Sequence, residues 1–152
     1  MPGTSGSFPI YVMNTPELAR RRAFMRSQLA RLGARDVTWV LCGNRDEIEA
    51  FSPALRRCVY PCVQLNMLNM RPKWPLRPST QPMSNGTLSL ALKHKLAASH
   101  ILTRRLPCAL LLEDDAVLPW RRADMFWRAL ARIAALDASV PMDIFWLGSV
   151  RR

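Results

Sequence analysis

The chain has 152 residues, of which 49% are apolar and 22% are charged, as in an ordinary globular domain. This composition argues against a disordered chain. No stretch reaches the ~18 consecutive apolar residues of a membrane-spanning helix, and the N-terminal residues show neither the basic region nor the apolar core of a signal peptide. We therefore expect one soluble domain, or part of one.

Charge is distributed unevenly along the chain. Twenty-two Lys and Arg against eleven Asp and Glu give a net charge of +11, which favours polyanionic partners such as nucleic acid, acidic membranes or phosphorylated small molecules. An arginine-rich codon composition is the alternative explanation. No acid lies between Glu49 and Glu113. Glu113 itself begins a run of three consecutive acids. A basic segment beside an acid cluster suits a ligand that combines a phosphate with a cation.

The cysteines do not fix the redox compartment. The spacing of Cys58 and Cys62 is neither that of a redox pair nor that of a zinc pair. We expect free buried thiols, with catalysis by a Cys/His pair as an alternative that no motif supports. The four cysteines are Cys42, Cys58, Cys62 and Cys108.

Residues 9–49 are predicted to form a βαβ unit. Pro9–Met13 and Val37–Leu41 have the short apolar pattern of buried strands. Between them, Asn14 and Pro16 predict a helix start, and Glu17–Leu32 has helical periodicity. Such a unit favours a parallel sheet with a right-handed crossover. The expected inward positions of the helix are Leu18, Met25, Leu29 and Leu32.

The rest of the chain divides at residue 83. Residues 50–82 are rich in proline and are predicted to be an irregular loop. Within 83–148, a helix opening at Ser84, a strand over Cys108–Leu112, a helix after Pro119 and a strand over Ile144–Leu147 follow one another. Alternating strands and helices indicate an α/β layered fold. The expected inward positions are Leu88, Leu90, Leu92, Leu96, Ala97, Ile101, Phe126, Leu130 and Ile133.

The acid cluster Glu113-Asp114-Asp115 directly follows the strongest strand prediction. Ligands of parallel α/β sheets bind beyond the carboxyl ends of strands, and adjacent carboxylates suit Mg²⁺ or Mn²⁺ bridging to a diphosphate. Alternation along a strand would place Glu113 and Asp115 on one side and Asp114 on the other. The alternative is a solvated strand end whose Asp115 pairs with Arg121 or Arg122.

Two other features have a functional and a structural interpretation. His94 lies on an apolar helical stripe, which is typical of a core histidine as well as of a ligand. Arg20–Arg22 is either a solvated helix face or a phosphate-binding group near the strand ends. The sequence contains no glycine-rich phosphate loop, no nucleophile elbow and no Ser-His-Asp order.

Taken together, these residues resemble glycosyltransferase family 25, which includes lipopolysaccharide-type sugar transferases and collagen galactosyltransferases. The most specific block is Met83–His94 followed by Ala109–Ala116. It is similar to the family's Ser, Gly-Glu-Ile-Gly and Ala-Leu-Ser-His pattern and the strand that ends in Glu-Asp-Asp.

Three further blocks support the resemblance. Ile10–Leu32, with Asn14 and the Arg21-Arg22 pair, is similar to the opening of the family, and Val37–Gly43 and Asp143–Gly148 are similar to later strands. Departures from the family pattern are Cys42 in place of Asp, Thr87 in place of Glu and Lys93 in place of Ser.

The resemblance implies an A-type glycosyltransferase (GT-A) fold, a Rossmann-like and mostly parallel sheet flanked by helices. It also implies transfer of a sugar from a nucleotide-sugar donor, expected to be UDP-linked, to a glycan or protein acceptor with Mn²⁺ or Mg²⁺. The metal would neutralise the leaving group. The implied site residues are Glu113, Asp114 and Asp115 for the metal, Asn14, Arg21, Arg22 and Gly43 near the nucleotide, and His94 as an orienting residue.

The catalytic domain of the family continues beyond residue 152, so we expect one incomplete domain over 1–152. Its expected location is the cytoplasm or a membrane periphery, or the ER or Golgi lumen if an N-terminal signal is missing. Two other functions stay open. One is an inactive relic of the donor-binding half. The other is a nucleic-acid-binding module, in which Trp74 within the basic Arg71–Arg77 segment would stack on a base.

Overall fold

The computed structural model describes residues 8–50 and 85–136. They form an α/β structure with a three-stranded parallel sheet and four α-helices, so the predicted fold class is confirmed at this level. The strands are β1 (Ile10–Met13), β2 (Val37–Val40) and β3 (Leu110–Glu113). The helices are α1 (Ala19–Arg31), α2 (Arg45–Glu49), α3 (Asn85–Thr103) and α4 (Ala123–Leu136), with a 3₁₀ turn over Trp120–Arg122 before α4.

Several predictions lie outside the described residues. These concern the irregular segment 50–82 beyond its first residue, the basic segment around Trp74, the thiols of Cys58 and Cys62, and the strand over Ile144–Leu147. Among the described helices, none combines the length and the apolar character needed to cross a membrane.

The strand order is β2-β1-β3, with every pairing parallel. Met13, the last residue of β1, lies opposite Val40 on one side and Glu113 on the other. The chain therefore moves from β1 to one neighbour and then crosses to the opposite side of β1. Such a reversal opens a crevice at the carboxyl ends of the two strands, here β1 and β3, which is where open α/β sheets bind ligands.

The central strand β1 is buried on both faces, with no residue more than 3% exposed. Its alternation divides the core into two layers. Ile10 and Val12 pack with α1 and α4, whereas Tyr11 and Met13 pack with Ala97 of α3. Helices α1 and α3 therefore cover opposite faces of the sheet.

The helix predicted over Glu17–Leu32 is observed as α1, but its start differs from the prediction. It begins at Ala19 with Leu18 at the N-cap position and no side-chain cap. The prediction that Asn14 caps the helix is wrong, because the Asn14 side chain bonds to Asp114 instead. Of the expected inward positions, Met25, Leu29 and Leu32 are buried, whereas Leu18 is 39% exposed.

The buried faces of the later helices differ from the predicted stripes. In α3, the polar residues Ser89 and Lys93 are buried two turns and one turn before Ala97, respectively, whereas the predicted Leu96 is 38% exposed. In α4, Leu130 is buried as expected, and Trp127, which was not predicted, is 4% exposed. The indole N–H of Trp127 donates to the carbonyl oxygen of Leu32 at 2.7 Å, which satisfies its polar atom inside the core.

The expectation of buried thiols is wrong for Cys42, which is exposed, while Cys108 is half-buried. Cys42 follows β2 in the short connection to α2. Because Cys42 lies beyond the end of the strand, the burial of the sheet does not extend to it.

Gln28 is a buried polar residue in the middle of α1, with 4% of its surface exposed. Its amide nitrogen donates to the Ala116 carbonyl at 3.0 Å, and its amide oxygen accepts from the Leu118 N–H at 2.8 Å. Both partners belong to the connection that follows β3. Gln28 therefore fixes the path of the chain immediately after the acid cluster.

We predict that Gln28→Met, which retains length and volume, lowers the free energy of unfolding by about 2–4 kcal/mol, because two buried backbone groups lose their partners. Urea unfolding measures the change. Ser27→Ala, an exposed substitution on the same helix, is the matched control and is expected to change stability by less than about 0.5 kcal/mol. Equal stability of the two variants would contradict the role assigned to Gln28.

Candidate functional site

A cleft of about 320 Å³ lies at the carboxyl ends of β1 and β3, a size at the lower end of the range for small-molecule sites. Its walls come from the end of β1, from α1, from the starts of α2 and α3, and from the acid cluster. The predicted site residues that line it are Asn14, Arg21, Glu113, Asp114 and Asp115. The sheet reversal thus gathers groups that are about a hundred residues apart in sequence.

Asn14 and Asp114 form the centre of the cleft. The Asn14 Nδ2 donates to Asp114 Oδ2 at 2.6 Å, and the two residues are only 2% and 6% exposed. A carboxylate can only accept, so this contact fixes the orientation of the Asn14 amide. Among the described residues, the Asn14 Oδ1 atom has no hydrogen-bond donor although it is buried. Such an atom is suited to accept a donor or a cation from a ligand.

Arg21 joins two members of the acid cluster. One guanidinium nitrogen lies 3.2 Å from Asp114 Oδ1 and 3.5 Å from Asp115 Oδ2. The interpretation that pairs Asp115 with Arg121 or Arg122 is therefore replaced by a pair with Arg21. Because the Arg21 side chain is 51% exposed, the pair contributes little to stability, and its main effect is to balance the negative charge.

The expected arrangement of the acids also needs correction. Alternation placed Asp114 away from Glu113 and Asp115, yet all three line the same cleft. Strand β3 ends at Glu113, and Asp114 and Asp115 lie in a turn, so the period of the strand does not extend to them. Asp114 is buried while Glu113 and Asp115 are exposed. The Asp114 carboxylate is therefore the one whose position the protein constrains most.

The donor atoms of the cleft are of the type that binds hard cations. Carboxylate and amide oxygens suit Mg²⁺ and Mn²⁺, and the unpartnered Asn14 Oδ1 lies beside Asp114. Within 8–50 and 85–136, no group of three or more His, Cys, Asp or Glu side chains is placed to hold a metal ion. A metal at this position would therefore complete its coordination with the amide oxygen, with water and with ligand phosphate.

Lys93 is a cleft residue that the sequence analysis did not identify. It is 2% exposed, and its ammonium group donates to Asn44 Oδ1 at 2.6 Å and to the Cys42 carbonyl at 3.2 Å. Burial lowers the pKa of Lys93, while the negative potential of nearby groups, Cys42 and Glu47 foremost, opposes this shift. Its spacing, three residues after Leu90 and four before Ala97 of the predicted inward stripe, is the sequence signal that would have identified it.

Gly43 supports the cleft from behind. Its backbone has φ +75°, and a Cβ atom there would lie 2.9 Å from the Leu92 side chain. The Ser89 hydroxyl donates to the Gly43 carbonyl at 2.7 Å, and the Gly43 N–H donates to the Glu47 carboxylate. This loop holds Asn44 in position against Lys93.

Three predicted site residues do not line the cleft. Gly43 is buried behind Ser89, and Arg22 and His94 are half-buried on α1 and α3. Comparisons of the chain with protein-family models, with curated proteins and with solved structures find no match.

We predict that Asn14→Asp makes stability fall as pH rises. The substitution places two buried carboxyl groups in contact, and such a pair retains one proton to a higher pH than an isolated carboxyl group. The folded state then binds more protons than the unfolded chain, so the free energy of unfolding decreases between pH 5 and pH 8. Urea unfolding at both pH values measures this. Ser27→Asp, an exposed addition of the same charge, should show no such decrease, and a flat profile for Asn14→Asp would contradict the described contact.

The lowered pKa of Lys93 gives a second pH prediction. Between that pKa and 10.5, the ordinary value, the unfolded chain binds more protons than the folded chain, so the free energy of unfolding rises with pH. Lys93→Gln removes this contribution. The stability of the wild type relative to Lys93→Gln should therefore increase from pH 7 to pH 10 in chemical unfolding. The difference between the wild type and Lys95→Gln, at an exposed lysine on the same helix, should stay constant.

Proposed function

We propose that this chain binds the nucleoside diphosphate of a nucleotide-sugar, expected to be UDP-linked, as the donor-binding part of a glycosyltransferase similar to family 25 with a GT-A fold. The observation that carries the proposal is the buried Asn14–Asp114 contact at the crevice between β1 and β3. It places an acid cluster and an unpartnered amide oxygen at the position where parallel α/β sheets bind ligands.

The charges of the cleft support a ligand that contains both phosphate and a cation. Lys93, Arg21 and Arg45 contribute positive groups to its wall, and Glu113, Asp114 and Asp115 contribute negative groups. A diphosphate alone would be attracted by the cations but partly repelled by the acids, and a metal ion alone would experience the reverse, so each would bind more weakly than the two together. A diphosphate with Mn²⁺ or Mg²⁺ presents both signs of charge, which suits this wall.

In this proposal Asp114, Asp115 and the Asn14 Oδ1 atom would hold the metal ion. The ion, when bound, supplies a positive charge that stabilises the diphosphate leaving group of a sugar transfer. Asn14 orients the Asp114 carboxylate, and Arg21 balances the acid pair while the ion is absent. The resemblance implies three further features of the proposal. His94 would be an orienting residue, Arg22 and Gly43 would lie near the nucleotide, and the acceptor would be a glycan or a protein.

A thermal melt of the purified chain tests the donor site. Mn²⁺ and UDP together, at about 100-fold over the dissociation constant, should add about 2.7 kcal/mol and raise Tm by about 5–10 °C for a chain of this size. Either ligand alone should give a smaller rise, because each supplies only one of the two charges that the cleft accommodates.

Asp115→Asn and Asp124→Asn form a matched pair for this melt. Asp115 lines the cleft, whereas Asp124 is exposed on α4 and pairs with Arg128. Only Asp115→Asn should reduce the rise. A cooperative melt that ignores both ligands would overturn the donor-site proposal, and salt-sensitive binding of nucleic acid that Asp115→Asn leaves unchanged would support the nucleic-acid-binding module instead.

A further inference from the structure

The side chain of Lys93 brings a buried positive charge to the cleft without an acidic partner. It is 2% exposed and lines the cleft. Among the described residues, no carboxylate lies within ion-pair distance of its ammonium nitrogen. Its hydrogen-bond partners, the Asn44 Oδ1 atom and the Cys42 carbonyl, are neutral. They orient the ammonium group but carry no countercharge.

The other central cation of the cleft differs in this respect. Arg21 contacts both Asp114 and Asp115, so its charge is balanced within the protein. A buried charge without a counterion is unfavourable, and it is tolerated more readily where a ligand of opposite charge binds. Of these two cations, Lys93 is the one that has no carboxylate within ion-pair distance among the described residues.

One N–H donor of the Lys93 ammonium group is not used by the described contacts. Lysine carries three N–H donors, and the described contacts of Lys93 use two of them. Because the residue lines the cleft, the third N–H is available to a group that enters it. A phosphate oxygen accepts such a charge-assisted hydrogen bond strongly.

We propose that Lys93 binds a phosphate group of the ligand directly, as the anion-binding residue of this cleft. The assignment rests on the proposed function, in which the ligand is a nucleoside diphosphate, and extends it to a residue for which the family pattern has serine. The Gly43 loop and Ser89 hold Asn44 and Cys42 in the positions that orient the ammonium group.

Titration calorimetry with pyrophosphate, UDP and uridine as separate probes tests the assignment. The UDP and uridine titrations contain Mn²⁺, and the pyrophosphate titration does not. Lys93→Gln removes the charge but keeps an amide that can donate to Asn44. It should weaken pyrophosphate and UDP binding at least about tenfold, the loss expected for one hydrogen bond to a charged group. Uridine, which has no phosphate, should bind the wild type and Lys93→Gln equally. Lys95→Gln, with the same charge change at an exposed position, should bind all three probes as the wild type does.

The outcomes separate this inference from the proposed function. Equal binding of UDP by the wild type and Lys93→Gln overturns the inference and leaves the donor site intact. A parallel loss of uridine and UDP binding also overturns it, because a merely structural role would affect both. Lys93-dependent binding of pyrophosphate by a chain that ignores UDP supports the phosphate site and overturns the nucleotide proposal. Failure of the wild type to bind any probe overturns both.

A measurement on the wild type makes the test independent of whether the variants fold. The chain contains only three lysines, Lys73, Lys93 and Lys95, so an NMR spectrum of the protein labelled with ¹³C at lysine Cε has few signals. Pyrophosphate should shift the Lys93 signal and leave that of Lys95 unchanged. Binding of pyrophosphate without a shift of the Lys93 signal would overturn the assignment.

Discussion

The hydrogen bond between Asn14 and Asp114 is the contact on which the arrangement of the cleft depends. It joins the residue after β1 to the residue after β3 across 100 positions of sequence. A buried carboxylate is unfavourable unless donors surround it, and Asn14 and Arg21 supply them. The acid cluster is thereby held against the start of α1, and the cleft forms between it and α3. Without this contact, the buried Asp114 carboxylate would lose one of its two described donors.

Hydrogen bonds in the loops on both sides of the cleft stabilise this arrangement. Gln28 hydrogen-bonds to the Ala116 carbonyl and to the Leu118 N–H. These bonds fix the backbone that directly follows the turn with Asp114 and Asp115. On the opposite side, Ser89 bonds to the carbonyl of Gly43, and the capping of α2 by Asn44 and Glu47 fixes the following residues. Both walls of the cleft therefore rest on buried polar contacts, whose partners are costly to leave unpaired.

The electrostatics of the cleft follow from how its charges are paired. Arg21 pairs with Asp114 and Asp115, whereas the two hydrogen-bond acceptors of Lys93 are neutral. The described wall is thus complementary to a ligand that carries negative charge toward α3 and a cation toward the acid cluster. This complementarity, together with the sheet reversal at β1, is what connects the fold to the proposed binding of a metal–diphosphate ligand.

The sequence by itself determined the elements that depend on local pattern. The apolar runs at Pro9–Met13 and Cys108–Leu112 predicted strands because short apolar runs are typical of buried strands, and the position of the acids directly after the second run predicted their place at a strand end. Only the tertiary structure decided the partners. Asn14 suggested a helix cap, yet it bonds to Asp114, and Lys93, to which the sequence analysis gave no role in the site, is buried beside Asn44. These roles depend on contacts between residues 49 to 100 positions apart, which helical and strand periodicity do not encode.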